Sequence, residues 1–164
     1  GEALASHEYL TMLDIGHNDI GPQGVESFCN GLIRNSSLRT LGLANTRMGD
    51  TGATAMAHVL RINCTLTELY LNSNQISDVG AKELAGALVF NDRSRISKFY
   101  FYGNDITDTG AGEFQKLLHD CPKVEELVPL NPELCLALAL GLHSRLGADS
   151  SILELASEQA HWQP

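Results

Sequence analysis

The sequence predicts an α/β fold of stacked strand–turn–helix units, closed by a helical C-terminal cap. Three observations predict it. The chain repeats itself in units of 28, 28, 30 and 28 residues, a period in the range of stacked repeat architectures. Each unit opens on an apolar-x-x-apolar-x-apolar run, whose last two apolar positions share one face of a strand. The back half of each unit places apolar residues four apart, which makes one buried helix face. A single strand–turn–helix unit cannot bury its own apolar face, so the units must stack.

The elements follow in order. Residues 1–9 are a partial repeat, with Leu4 falling where Leu32 falls in the next copy. Full repeats span 10–37, 38–65, 66–95 and 96–123, and a degenerate copy starts at 124. Because the chain opens partway through a repeat, an upstream segment or another chain is expected to cover the edge of the first full repeat. The strand leucines and their equivalents are Leu10, Leu13 and Ile15; Leu38, Leu41 and Leu43; Leu66, Leu69 and Leu71; and Ile96, Phe99 and Phe101. Three residues on stand Asn18, Asn74 and Asn104, able to satisfy backbone groups of the turn that leaves the strand. Thr46 holds that place in the second full copy, with less capacity. Asp50, Asp78 and Asp108 are expected as helix N-caps, with Pro22 at that place in the first copy. Gly24, Gly52, Gly80 and Gly110 follow. Glycine weakens a helix, so its recurrence there predicts close packing against the neighbouring repeat. The helix faces are Phe28 with Leu32, Met56 with Leu60, Leu84 with Leu88, and Phe114 with Leu118.

This LxxLxLxxN pattern with its following glycine resembles the ribonuclease-inhibitor type of leucine-rich repeat, found in ribonuclease inhibitor, NOD-like receptors, tropomodulins and the Ran GTPase-activating protein. The resemblance runs from Leu4 to about Leu127. It implies a right-handed leucine-rich-repeat solenoid, with parallel strands on the concave face and helices on the convex face, used for protein recognition. The sequence departs from the pattern at Thr46, at two extra residues before Ile96, and after Leu127. The alternative that the resemblance offers is a GTPase-activating protein similar to the Ran-specific activator, on the strength of "GHNDIGPQG" (residues 16–24), with Arg47 as the residue to test.

The register sorts the run "FYFY" into two pairs. Phe99 and Phe101 replace core leucines, and Tyr100 and Tyr102 face out from the concave side. Reading the outward positions across the strands gives Met12, Thr40, Glu68, Lys98 and Glu126 in one row. Asp14, Gly42, Tyr70, Tyr100 and Val128 form the next, and Gly16, Ala44, Asn72, Tyr102 and Leu130 the last. Three of the chain's four tyrosines therefore meet on one surface. Tyrosines can simply shield a solenoid's inner wall, but they are also enriched in binding hot spots. The expected partner-binding residues are Tyr70, Tyr100, Tyr102, Glu68, Lys98 and Asn72.

The remaining features exclude more than they add. The net charge of −9 disfavours nucleic acid and anionic membrane as partners. No apolar run reaches the ~20 residues of a membrane span. Cys29, Cys64, Cys121 and Cys135 stand apart with no CxxC, which suggests reduced thiols and a cytoplasmic location. No P-loop, GxSxG, HExxH or EF-hand loop is present. No catalytic residue, metal site or cofactor is expected, and the partner is a protein of unknown identity. The sequons at Asn35 and Asn63 fall at equivalent repeat positions, and the repeat explains them without a sugar. Residues 131–164 read as a helical C-terminal cap. Their leucines surround the helix, so self-association through Leu136 and Leu140 is the alternative use of that face.

Overall fold

The computed structural model describes residues 1–112, Lys116 and the backbone of 126–128. The elements run α1 (Glu2–Ala5), β1 (Met12–Asp14), α2 (Gly21–Leu32), β2 (Thr40–Gly42), α3 (Gly49–Leu60), β3 (Glu68–Tyr70), α4 (Asp78–Phe90), β4 (Lys98–Tyr100) and β5 (Glu126–Val128). A further helix opens at Asp108. The expected cap at 131–164, with Leu136 and Leu140, lies outside the described residues, as do Phe114 and Leu118.

The five strands form one parallel sheet in sequence order, β1-β2-β3-β4-β5. Each parallel crossover carries its helix to the same side, and such crossovers are right-handed. α2, α3 and α4 pack side by side against one another. Helices need ~8–10 Å between axes while strands need ~4.8 Å. The helix side must therefore be the longer arc, which leaves the strand side concave. The core lies between the two layers. Leu38, Leu41, Leu43, Leu66, Leu69, Leu71, Phe99 and Phe101 are all at most 1% exposed, and each contributes ~1.5–3 kcal/mol by leaving water. From the helices come Leu32, Met56, Leu60, Leu84 and Leu88, joined by a row the four-residue spacing does not pick out: Val25, Ala53, Ala81 and Ala111. Small residues there let each helix sit close to the sheet.

Two recurring residues act across repeats, which corrects the sequence reading of both. Asp50 is not the N-cap of its own helix. α3 is preceded by Met48, and Asp50 lies within its first turn. Its carboxylate instead caps the next helix, accepting from the Ser77 N–H at 2.8 Å, the Ser77 hydroxyl at 2.6 Å and the Gly80 N–H at 3.0 Å. Asp78 likewise lies inside α4, which is capped by Ser77, and it accepts from the Thr107 N–H at 2.7 Å and from the Thr107 hydroxyl. The orphan N–H groups at a helix start attract a negative charge, and the stacking offset brings that charge from the unit before. These hydrogen bonds hold the Asp78 carboxyl below the usual carboxylate range, those from Thr107 contributing most.

The glycines then have a specific reason. A Cβ on Gly80 would lie 2.6 Å from Asp50 Oδ1 and 2.6 Å from Ile76, and one on Gly110 would lie 2.5 Å from both Asp78 Oδ1 and Ile106. At Gly80 and Gly110 the close approach is thus partly to the neighbouring repeat, as expected, and partly to the apolar residue of the same turn, whereas at Gly24 and Gly52 it is only to Ile20 and Met48 of their own repeat.

The asparagines after the strands work the same way. Asn74 accepts from the Thr46 N–H and hydroxyl, both at 2.9 Å, and donates to the Leu43 carbonyl at 2.7 Å, all in the repeat before. Asn104 accepts from the Asn74 N–H and donates to the Leu71 and Phe101 carbonyls. A second file lies at the helix ends. Asn35, Asn63 and Asn91 are 4%, 7% and 8% exposed, and each donates its amide to carbonyls of the preceding unit. The side-chain nitrogens of both sequon asparagines are therefore used inside the fold.

Candidate functional site

The site is built by the register. Met12, Thr40, Glu68, Lys98 and Glu126 are successive strand neighbours, and so are Asp14, Gly42, Tyr70, Tyr100 and Val128. The first two outward rows are those expected. The third continues as hydrogen bonds past the strand ends, from the Asn45 N–H to the Asn72 carbonyl at 2.8 Å and from the Ser73 N–H to the Tyr102 carbonyl at 2.9 Å.

Tyr70 and Tyr100 stack face to face, with ring centroids 4.4 Å apart and planes within 6°. That separation is close to the strand spacing, so the rings stand upright from the sheet like adjacent plates. Phe99 and Phe101 pack on the other side of the same strand, with centroids 5.5 Å apart. Tyr102 is 50% exposed. Lys98 Nζ lies 3.4 Å from Glu68 Oε1, and the Tyr70 hydroxyl donates to Glu68 Oε2 at 3.3 Å. Burial pushes the Tyr70 phenol up, and the Glu68 carboxylate adds to the shift. Tyr70 is therefore an uncharged donor at neutral pH.

Asn72 has another task. It is 8% exposed, and its amide oxygen accepts from the Tyr102 N–H at 3.1 Å. It holds the backbone that presents Tyr102, and offers a partner little surface. Of the six residues picked out from the sequence, five form the outward surface and Asn72 lies beneath it.

The sequence reading did not foresee how the outward face of β2, beside the tyrosines, is covered. The outward positions of β2 and its continuation are Thr40, Gly42 and Ala44, all small. On the β1 side Met12 is 63% exposed. Asp14 leans over Gly42, with its Oδ1 2.3 Å from where a Cβ on that glycine would be. The row of small residues was visible in the sequence, but nothing local said that Asp14 would lean across it.

Among the described residues no group of three or more His, Cys, Asp or Glu side chains could hold a metal ion. No helix there is long and apolar enough to cross a membrane. Arg47, the residue singled out for GTPase activation, is exposed and pairs with Asp19 at 2.9 Å.

The fold is a leucine-rich-repeat solenoid, as the resemblance of the sequence to repeats of the ribonuclease-inhibitor type implied. A family model described as "Leucine Rich repeat" matches residues 6–29, 34–57 and 63–85. The solved structures it resembles include leiomodin-1 actin-binding site 2, at 26% identity and a TM-score of 0.71, with 93% of this chain and 89% of that one covered. The tropomodulin C-terminal domain of Caenorhabditis elegans shares the fold at 13% identity and a TM-score of 0.69, covering 92% of this chain and 88% of that one. No curated protein sequence gives a significant match.

Proposed function

We propose that this chain is a non-enzymatic protein-interaction module that holds its partner on the concave face, through Tyr70, Tyr100 and Tyr102 with Glu68 and Lys98 at their base. The observation that carries the reading is the stacked Tyr70–Tyr100 pair beside a half-exposed Tyr102. Tyrosines give large contact area at low entropic cost, and pre-stacked rings have already lost the freedom that binding would otherwise remove. Asn72 enters the proposal as the support of Tyr102. The organisation that goes with it is repeats over 1–130, followed by a cap over 131–164.

Actin is the first partner to test, because leiomodin-1 actin-binding site 2 is similar over nearly the whole chain. Binding of monomeric and filamentous actin, measured by anisotropy and co-sedimentation, should be detectable for the wild type. The double variant Tyr70→Ala/Tyr100→Ala should lose at least tenfold in affinity, the order expected of paired hot-spot residues. A folded double variant that binds as the wild type does would overturn the concave-face reading. Absence of actin binding by the wild type would remove actin alone. We place the protein in the cytoplasm, which the free thiols Cys29 and Cys64 and the buried sequon asparagines support. The GTPase-activator alternative draws no support from the comparisons.

A further inference from the structure

The Asp14 carboxylate over β2 and the open face of Tyr70 together define a slot of particular chemistry. Tyr100 covers one face of the Tyr70 ring, and the ring planes are parallel to within 6°. The opposite face must therefore look toward β2, where its direct strand neighbour is Gly42, whose outward position is taken by the Asp14 carboxylate. Thr40 and Ala44 flank that position, and Gly42 beneath it is buried. The Asp14 carboxylate lies directly over Gly42. Asp14 Oδ1 accepts one hydrogen bond, from the Gly16 N–H at 2.9 Å, and the side chain is exposed. An aromatic face and a carboxylate thus stand beside each other at neighbouring outward positions of the sheet. The neighbouring carboxylate, Glu68, is already engaged by Lys98 and the Tyr70 hydroxyl.

We infer that this slot is a receptor for an arginine side chain of the protein partner, with the guanidinium standing on Asp14 and lying flat against Tyr70. Three physical reasons select arginine. A planar cation stacks on an aromatic face while donating in its own plane, which an ammonium cannot do. Two parallel N–H donors match a carboxylate. The chain's net charge of −9 draws a cation toward the surface. The absence of a side chain at Gly42 lets the Asp14 carboxylate lie beside Tyr70, so this small residue acts as a specificity element. The inference deepens the concave-face reading and rests on it, since it names the chemistry the partner must bring.

The test needs no partner protein. Acetyl-Gly-Arg-Gly-amide is titrated into the ¹⁵N-labelled full chain, with the citrulline and lysine analogues as comparisons. Citrulline keeps the shape of arginine and removes the charge. The expected result is a saturable shift centred on the amides of Asp14, Gly42 and Tyr70, weakened roughly fivefold or more with citrulline and in Asp14→Asn, as for loss of one charge-assisted hydrogen bond. Lysine should fall between the two. Asp14 is exposed, so Asp14→Asn is expected to fold, and Tyr70→Leu, which keeps an apolar side chain, should weaken arginine binding independently. Equal binding of citrulline, unchanged binding by Asp14→Asn, or no saturable shift at these amides up to roughly 20 mM peptide overturns the slot. Its failure is separable from that of the proposed function. Loss of partner binding in the double tyrosine variant together with equal citrulline binding defeats the slot alone. Arginine-selective binding at the slot with undiminished partner binding by that variant defeats the concave-face reading alone.

Discussion

Replacing Asp50 by alanine tests the idea that each unit caps the next. The carboxylate accepts three hydrogen bonds from the start of α4, two from backbone N–H groups and one from the Ser77 hydroxyl, at 2.6–3.0 Å. Loss of an N-cap costs about 0.5–2 kcal/mol, and hydrogen bonds to a charged acceptor contribute about 1.5–3 kcal/mol where they are made. Solvent can partly re-satisfy the freed groups at this half-buried site. Asp50→Ala should therefore lose about 2–3 kcal/mol, and Asp50→Asn, which keeps one acceptor oxygen, about half of that. Gly80→Ala supplies the coupling. Its new Cβ would press on Asp50 Oδ1, Ile76 and Ala53, outweighing a helix-propensity gain of about 1 kcal/mol. Removing the Asp50 carboxylate takes away one of those three clashes, so the cost of Gly80→Ala should fall in the Asp50→Ala background. Urea unfolding followed by circular dichroism measures all four proteins of the cycle. Hydrogen exchange at the first turn of α4 reports whether the loss is local. Asp50→Ala within 0.5 kcal/mol of wild type, or strict additivity with Gly80→Ala, would refute cross-repeat capping.

Other expectations follow from the same geometry. Asn74→Ala strands the Thr46 N–H in a buried turn and leaves the Leu43 carbonyl with the Thr46 hydroxyl as its donor, and should cost about 2 kcal/mol in urea unfolding, against well under 1 kcal/mol for the exposed Asn18→Ala. The Asp78 carboxyl has its folded value lowered from 3.8. Its stabilisation is therefore fully present above the unfolded value and lost as pH falls through the lower folded one. The urea midpoints of wild type and Asp78→Asn should differ at pH 7 and draw together as the pH is brought below 3.8, and a gap that does not narrow would refute the assignment. Burial pushes the Cys29 thiol up to about 12. Iodoacetamide at pH 8 should modify Cys64 in the native chain and reach Cys29 only after unfolding, as peptide mapping by mass spectrometry would record.

The register of the outward rows was legible because strand geometry alternates faces without regard to context. Once Leu69 and Phe99 are assigned inward, Tyr70 and Tyr100 have no choice but to stand side by side. The caps were not legible in the same way. An aspartate two residues before a glycine looks like a cap for its own helix, and only stacking shows that it serves the next one. A trace was nevertheless there. Where a repeat carries Asp50 or Asp78, the next repeat has a hydroxyl residue, Ser77 or Thr107, at the helix start. Where Pro22 stands instead, the next repeat has Gly49, with φ of 55°. Asn72 was misplaced for a related reason. Alternation sets it on the outward face, but past the end of β3 its amide turns to the Tyr102 N–H of the neighbouring unit.

Sequence by itself therefore determined everything governed by period: the repeat lengths, the inward leucines, the outward tyrosines and the parallel order of the strands. Tertiary structure alone decided which unit each polar side chain serves, and where a carboxylate leans over a glycine to shape a slot beside Tyr70. The physical reason is one of distance. Alternation and helical spacing act within a few residues along the chain, whereas Asp50, Asn74 and Asp14 act on groups 26 to 31 residues away that only stacking brings within a hydrogen bond's reach.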